Sequence, residues 1–169
     1  MSTRGDDRKA AIVEAAIARL YKLGIEGLRV RDVAQDVGIN NATLHHHFPT
    51  KAALVAAIVQ SFVAHFKSQG GVPKTGTLED RLAAYVAGRR EQMERDPAPF
   101  IVFNEFMILA HRDEEVRRVM AGLLSGWNGH LVSVCLEAGD DPATAAKRAE
   151  SCRMELLGLG LALGVCRLS

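Results

Sequence analysis

Apolar residues recur at intervals of three and four along almost the whole of this 169-residue chain, and nowhere do they alternate over the length of a strand. That periodicity restricts the fold to packed helices. Asp7 caps a predicted first helix over 8–23, with Ile12, Ala16, Leu20 and Leu23 on its inner face and Gly24 ending it. A short second helix over 30–37 turns Val30, Val33 and Val37 inward and stops at Gly38. Asn40 caps a third over 41–47, and Thr50 caps a fourth over 51–68. The stretch "GGVPKTGT" is aperiodic and reads as a linker. Helices over 78–95, 98–110, 114–138 and 142–167 follow, the last capped by Asp141 with Pro142 in its first position. The helix over 98–110 is nearly all apolar, which predicts burial on most sides. The expected fold is all-α, about eight helices, with a three-helix head and a larger helical body.

Apolar residues at 48% and charges at 24% are ordinary for a globular protein. The longest weakly charged run, "AALVAAIVQSFVAHF", contains Gln60, Ser61 and His65 and makes a poor membrane span. The opening "MSTRGDDRK" lacks the apolar stretch of a signal peptide, so a cytoplasmic, nucleoid-associated protein is expected. Residues 1–54 hold eight Lys and Arg against six Asp and Glu, and the remainder thirteen against fourteen. No bulk field draws nucleic acid, and any DNA contact must come from a local surface. Cys135, Cys152 and Cys166 are widely spaced on apolar patterns and read as reduced core thiols.

The segment 30–48 carries the sharpest signal. Two short helices joined by a tight turn form a helix-turn-helix. Ala34 is small where the helices cross, Gly38 takes the positive φ of the turn, Ile39 lies under it and Leu44 returns the second helix to the core. With Leu44 and Phe48 inward, Ala42, Thr43, His45 and His46 face outward, the short polar set that a recognition helix presents to a major groove. A plain helical hairpin shares this spacing. The consecutive His45, His46 and His47 also invite a metal reading. Neighbours on a helix point ~100° apart, however, and no His, Cys, Asp or Glu lies four residues from any of the three. Neither a metal site nor a catalytic constellation is expected.

The run "RKAAIVEAAIARLYKLGIEGLRVRDVAQDVGINNATLHHHFPTKAALVAAIV" closely resembles the DNA-binding domain of the TetR family of bacterial transcription regulators. The matching positions are Leu20, Tyr21 and Gly24, the run Val30 to Ala34, Gly38 and Ile39, and Thr43 through Lys51. The resemblance implies a DNA-binding domain over 1–50 and a ligand-binding and dimerisation domain over 51–169. It implies base reading by Asn41, Ala42 and His45, and phosphate contacts by Thr43, His46, His47 and Lys51. Three departures alter the expectation. His45 replaces the family's usual tyrosine, Ala42 its usual glycine, and Arg29 its usual Ser or Thr cap, at a cost of ~1 kcal/mol. Arg29 either reaches a phosphate or is a solvated surface residue. A histidine-rich reading surface predicts affinity rising as pH falls through about 6.5, the ordinary imidazole value.

In the body, Phe62, Phe66, Tyr85, Met93, Phe103, Met107 and Trp127 either fill the core or line a pocket for an apolar or aromatic molecule. Arg89 falls on the apolar stripe of its helix and either pairs with Glu105 or meets an anionic ligand group. Asn104 and Glu105 interrupt an apolar helix and are further polar contacts for such a ligand. Gly122, Gly126 and Gly129 on one helix, and Gly158, Gly160 and Gly164 on the next, each cost ~1 kcal/mol against alanine, which predicts close backbone approach. The family dimerises through its last two helices, which implies a homodimer on half-sites ~34 Å apart. The chain ends soon after this helix, a little short for the family, so a C-terminal tail is expected to be missing. The expected function is a ligand-responsive regulator, a repressor on a palindromic operator released by a small effector, with no cofactor. The alternative is a ligand-independent DNA-binding protein with a solid helical body.

Overall fold

The computed structural model describes residues 4–68 and 70–166, and the side chains within them except those of Arg4, Phe66, Lys67 and residues 163–166. The expectations placed on Phe66, Gly164 and Cys166 fall outside what is described. The described residues are all-α, with no strand among them. The helices are α1 (Arg4–Leu23), α2 (Val30–Asp36), α3 (Asn41–His47), α4 (Lys51–Ser68), α5 (Leu78–Arg95), α6 (Ala98–Leu109), α7 (Glu114–Glu137) and α8 (Pro142–Cys166), with a 3-10 turn at Ile25–Gly27.

Helix α1 starts three residues ahead of the expected cap. Asp6 and Asp7 therefore lie inside its first turn, where their carboxylates favour the free N–H groups electrostatically. Ile12, Ala16 and Leu20 are buried as expected, but Leu23 is 52% exposed because the helix ends there. Gly24, at φ 65°, donates its N–H to the Leu20 carbonyl and turns the chain. At the other end of the chain, Asp141 caps α8 by accepting from the backbone of Ala143 at 2.9 Å and of Thr144 at 3.2 Å. A hydrogen bond from the Thr144 side chain is the largest of the effects that hold the Asp141 carboxyl below the usual range.

The chain packs as two compact units. One holds the chain up to His65 together with Glu105–Met120, and the other holds Phe66–Asn104 together with the chain from Ala121 onward. The packing unit that contains the head therefore runs past residue 50, where the division of function is expected. Its interior is built by Ile12, Ala16 and Leu20 of α1, Val33 and Ala34 of α2, Leu44 of α3, Leu54, Val55 and Ile58 of α4, and Phe106 of α6. The second unit centres on Met93, Leu131, Ala149, Cys152 and Leu156, with Tyr85, Val86, Phe100 and Trp127 packed against them.

The stretch 70–77 is the aperiodic connection expected between α4 and α5, and it is fastened to its unit. Val72 packs on the core, Arg81 donates to the Pro73 carbonyl at 2.6 Å, and Thr77 caps α5. Helix α6 is buried or half-buried except along one stripe, where Ile101 and Ile108, two turns apart, are 39% and 62% exposed. The thiols of Cys135 and Cys152 are free and buried as expected, and burial pushes Cys152 up to about 11.

Candidate nucleic-acid interface

The turn between α2 and α3 is built by its glycine. Gly38, at φ 68°, donates to the Gln35 carbonyl at 3.0 Å, and Ile39 donates to the Ala34 carbonyl at 2.9 Å. These two bonds satisfy the last carbonyls of α2 in a Schellman arrangement and aim the chain into α3. Ala34, 1% exposed, leaves room for the crossing. Asn40 then caps α3, its side-chain oxygen accepting from the Thr43 N–H at 2.8 Å and from the Thr43 hydroxyl at 3.0 Å.

Helix α3 is anchored by Leu44 at 0% exposure, and Phe48 is buried one turn on. Burial of these two at i and i+4 turns the rest of the helix outward. Asn41, Ala42, His45 and His46 are exposed, while Thr43 and His47 are half-buried along one flank. The histidine rings do not converge. The His46 and His47 rings meet edge to face, their centroids 5.6 Å apart. Among the described residues no group of three or more His, Cys, Asp or Glu is placed to hold a metal.

Arg29 and Lys51 stand at the starts of neighbouring helices. Arg29 occupies the cap position of α2 with extended backbone and makes no capping hydrogen bond, because its exposed guanidinium has no acceptor to offer. Lys51 is the first residue of α4, exposed, and Thr50 accepts from the Ala53 N–H at 3.0 Å beside it. A cation and a helix N-terminus together favour a phosphate.

Two positioning features escape sequence reasoning. Arg19 of α1 spans Asp32 and Asp36, which lie one turn apart on α2, and donates to Asp36 at 2.9 Å. This hydrogen bond holds the Asp36 carboxyl below its usual range and raises the Arg19 guanidinium further. The i, i+4 carboxylates are visible in sequence, but their partner 13 and 17 residues upstream is not. Glu105 of α6 is the second. Its carboxylate accepts from the Ile25 backbone N–H, and one oxygen stands 2.7 Å from where a Cβ on Gly24 would lie. Burial pushes this carboxyl up, and its second oxygen is buried without a hydrogen-bond partner.

The residues expected to meet a ligand are distributed over both units. Tyr85, Met93 and Trp127 come together in the second unit, where Trp127 donates its indole N–H to the Tyr85 hydroxyl at 3.1 Å. Arg89 lies over the Tyr85 ring at 5.2 Å and donates to Gln92 at 2.8 Å and to the Gly70 carbonyl. Asn104 donates to the Gly160 carbonyl at 3.3 Å, and Phe103 is half-buried on the same helix. Phe62 belongs to the first unit and stacks on Tyr21, centroids 6.3 Å apart, and Met107 lies in that unit too.

A capped, outward-facing second helix on a Schellman turn defines a helix-turn-helix protein of all-α architecture. Residues 12–58 match the family model described as bacterial regulatory proteins, tetR family. The chain is 24% identical over 115 residues to the HTH-type transcriptional regulator BetI of Rhizobium meliloti (strain 1021), a match covering 67% of this chain and 57% of that one. The chain thus spans little more than half the length of this curated relative. Its fold is shared with a transcriptional regulator from Rhodococcus sp. Rha1, at TM-score 0.75 and 22% identity, covering 95% of this chain and 86% of the other. It is shared also with AibR, solved in complex with isovaleryl coenzyme A and operator DNA, at TM-score 0.63 and 21% identity, covering 90% and 85%. Residues 12–58 thus carry the DNA-binding region of the tetR family of bacterial regulatory proteins, and the curated relative is a transcriptional regulator.

Proposed function

We propose that the protein is a ligand-responsive transcriptional repressor that binds a palindromic DNA operator as a homodimer and is released by a small, largely apolar or aromatic effector. Residues 1–50 form its DNA-binding domain and residues 51–169 its ligand-binding and dimerisation domain. It acts in the cytoplasm, at the nucleoid.

The carrying observation is the exposed face of α3. The Asn41 amide suits the N6 and N7 edge of adenine, the Ala42 methyl suits a thymine methyl, and the His45 imidazole donates to guanine. Thr43, His46, His47, Lys51 and Arg29 flank these readers as phosphate contacts. Dimerisation is supported by α7 and α8. An 18-residue window of α7 is apolar enough to cross a membrane, yet only 22% of it is buried within the chain. Leu136, Met154 and Leu161 are exposed, and a Cβ built on Gly122, Gly126, Gly129 or Gly158 meets nothing within 4 Å. The backbone approach that such glycines suit is therefore left to a second copy.

Release by an effector is supported by the aromatic cluster around Tyr85 and Trp127 and by a structural relative that holds both an acyl-coenzyme A and operator DNA. One observation favours the second reading, a ligand-independent DNA-binding protein. Tyr85, Trp127 and Arg89 already satisfy one another. Selection and sequencing of DNA bound by the purified protein tests the proposal, and a panel of small apolar molecules is then screened for release of the selected site. An enriched palindrome released by one compound class is expected. Selection without enrichment refutes the operator, and an operator that no compound releases favours the second reading.

A further inference from the structure

Beside the reading face, a depression of about 560 Å³ lies open between the first turn of α1 and the turn into α3. Gly5 and Arg8 line it from α1, and Gly38, Asn40, Thr43 and His47 line it from the other side. None of its lining residues is acidic. Asp6 and Asp7 adjoin Arg8 in sequence but do not line it.

Arg8 and Asn40 both bring donors to this depression. The Asn40 oxygen is committed to Thr43, which leaves its amide N–H groups to give. Thr43 and His47 lie one turn apart and half-buried on the same flank of α3, so the imidazole faces the rim and not the groove-reading face. Arg8 brings five N–H donors in a planar fork, the geometry that matches phosphate oxygens in pairs. An anion is the complement of such a site. Its place along the flank of a reading helix selects the anion as a strand phosphate of the DNA that helix engages.

We infer that Arg8, with Asn40 and His47, forms a cradle for one backbone phosphate of bound DNA, so that the first turn of α1 grips the strand beside α3. The inference rests on α3 being the reading helix. It adds a contact from outside the helix-turn-helix, made to any sequence alike.

Fluorescence anisotropy of labelled duplexes, titrated with the full chain between about 50 and 200 mM salt, tests it. Arg8→Ala is expected to weaken binding about tenfold, and equally for the selected operator and an unrelated duplex. The slope of log affinity against log salt should flatten by about 0.9, because one phosphate fewer is neutralised on binding. Arg8→Lys should keep the slope. Circular dichroism guards against a folding artefact, and Arg8 is an exposed residue. Unchanged affinity and slope in Arg8→Ala, with Lys51→Ala still weakening binding, overturns the cradle and leaves the reading helix standing. A loss confined to the operator makes Arg8 a base reader and also overturns the cradle. If Asn41→Ala and Lys51→Ala have no effect either, the reading of α3 and the cradle fall together.

Discussion

Asn40 and Arg29 occupy equivalent places, each opening a short helix, and only Asn40 closes a cap. Asn40→Ala is expected to cost about 1 kcal/mol in urea denaturation, because the Thr43 N–H is left without its acceptor. Arg29→Thr should do the opposite, gaining about 0.5–1 kcal/mol of stability by supplying the missing cap. If Arg29 holds a phosphate, the same variant loses DNA affinity while its melting temperature rises. Gly24→Ala should destabilise by about 1–2 kcal/mol, since its φ of 65° disfavours a side chain and the added Cβ would press on Glu105. At this scale the chemistry was legible wherever a residue acts on its own neighbours. Asn40, Thr50 and Asp141 cap helices as their sequence context implies. The roles of Arg19 and Glu105 were not legible, because each meets residues that only packed helices bring near. Asp7 misled for a local reason: a helix that starts earlier turns a cap into a first-turn charge.

Between elements, the α1–α2 contact sets how the head is held. Asp36 has a folded carboxyl below its usual value, so the stability it lends is present above the ordinary carboxylate range and is lost as pH falls through the depressed value. Arg19→Ala should therefore be less stable than the parent at neutral pH and converge with it in acid. Glu105 has the opposite sign. Its folded carboxyl is raised, so stability falls as pH climbs from the ordinary glutamate value through the raised one. Glu105→Gln, which still offers an oxygen to the Ile25 N–H, should melt higher than the parent at pH 7 and match it near pH 4. Helix existence followed directly from the apolar period. The burial of α6 on most sides followed too, but an all-apolar helix reports no direction, so the bare stripe at Ile101 and Ile108 was not legible.

For the whole molecule, the exposed apolar residues of α7 and α8 argue for a partner copy. Met154→Glu with Leu161→Glu should convert a dimer to a monomer in light scattering and weaken operator binding by more than tenfold, since both half-sites must be held together. Cys152, with its thiol pushed up to about 11, and Cys135, also raised, should resist a thiol reagent at pH 8 until the chain is unfolded. Family and helix count were readable from order and spacing. The ligand side was not, because aromatic residues at helical spacing fit a filled core and a lined pocket equally well. The central claim is that α3 reads DNA. Its most direct test is the base preference of Asn41→Ala, His45→Ala and Lys51→Ala on a randomised operator, measured side by side with the parent. The account predicts altered preference at separate positions for Asn41→Ala and His45→Ala, and uniform weakening across sequences for Lys51→Ala. Preference and affinity unchanged in all three would contradict it.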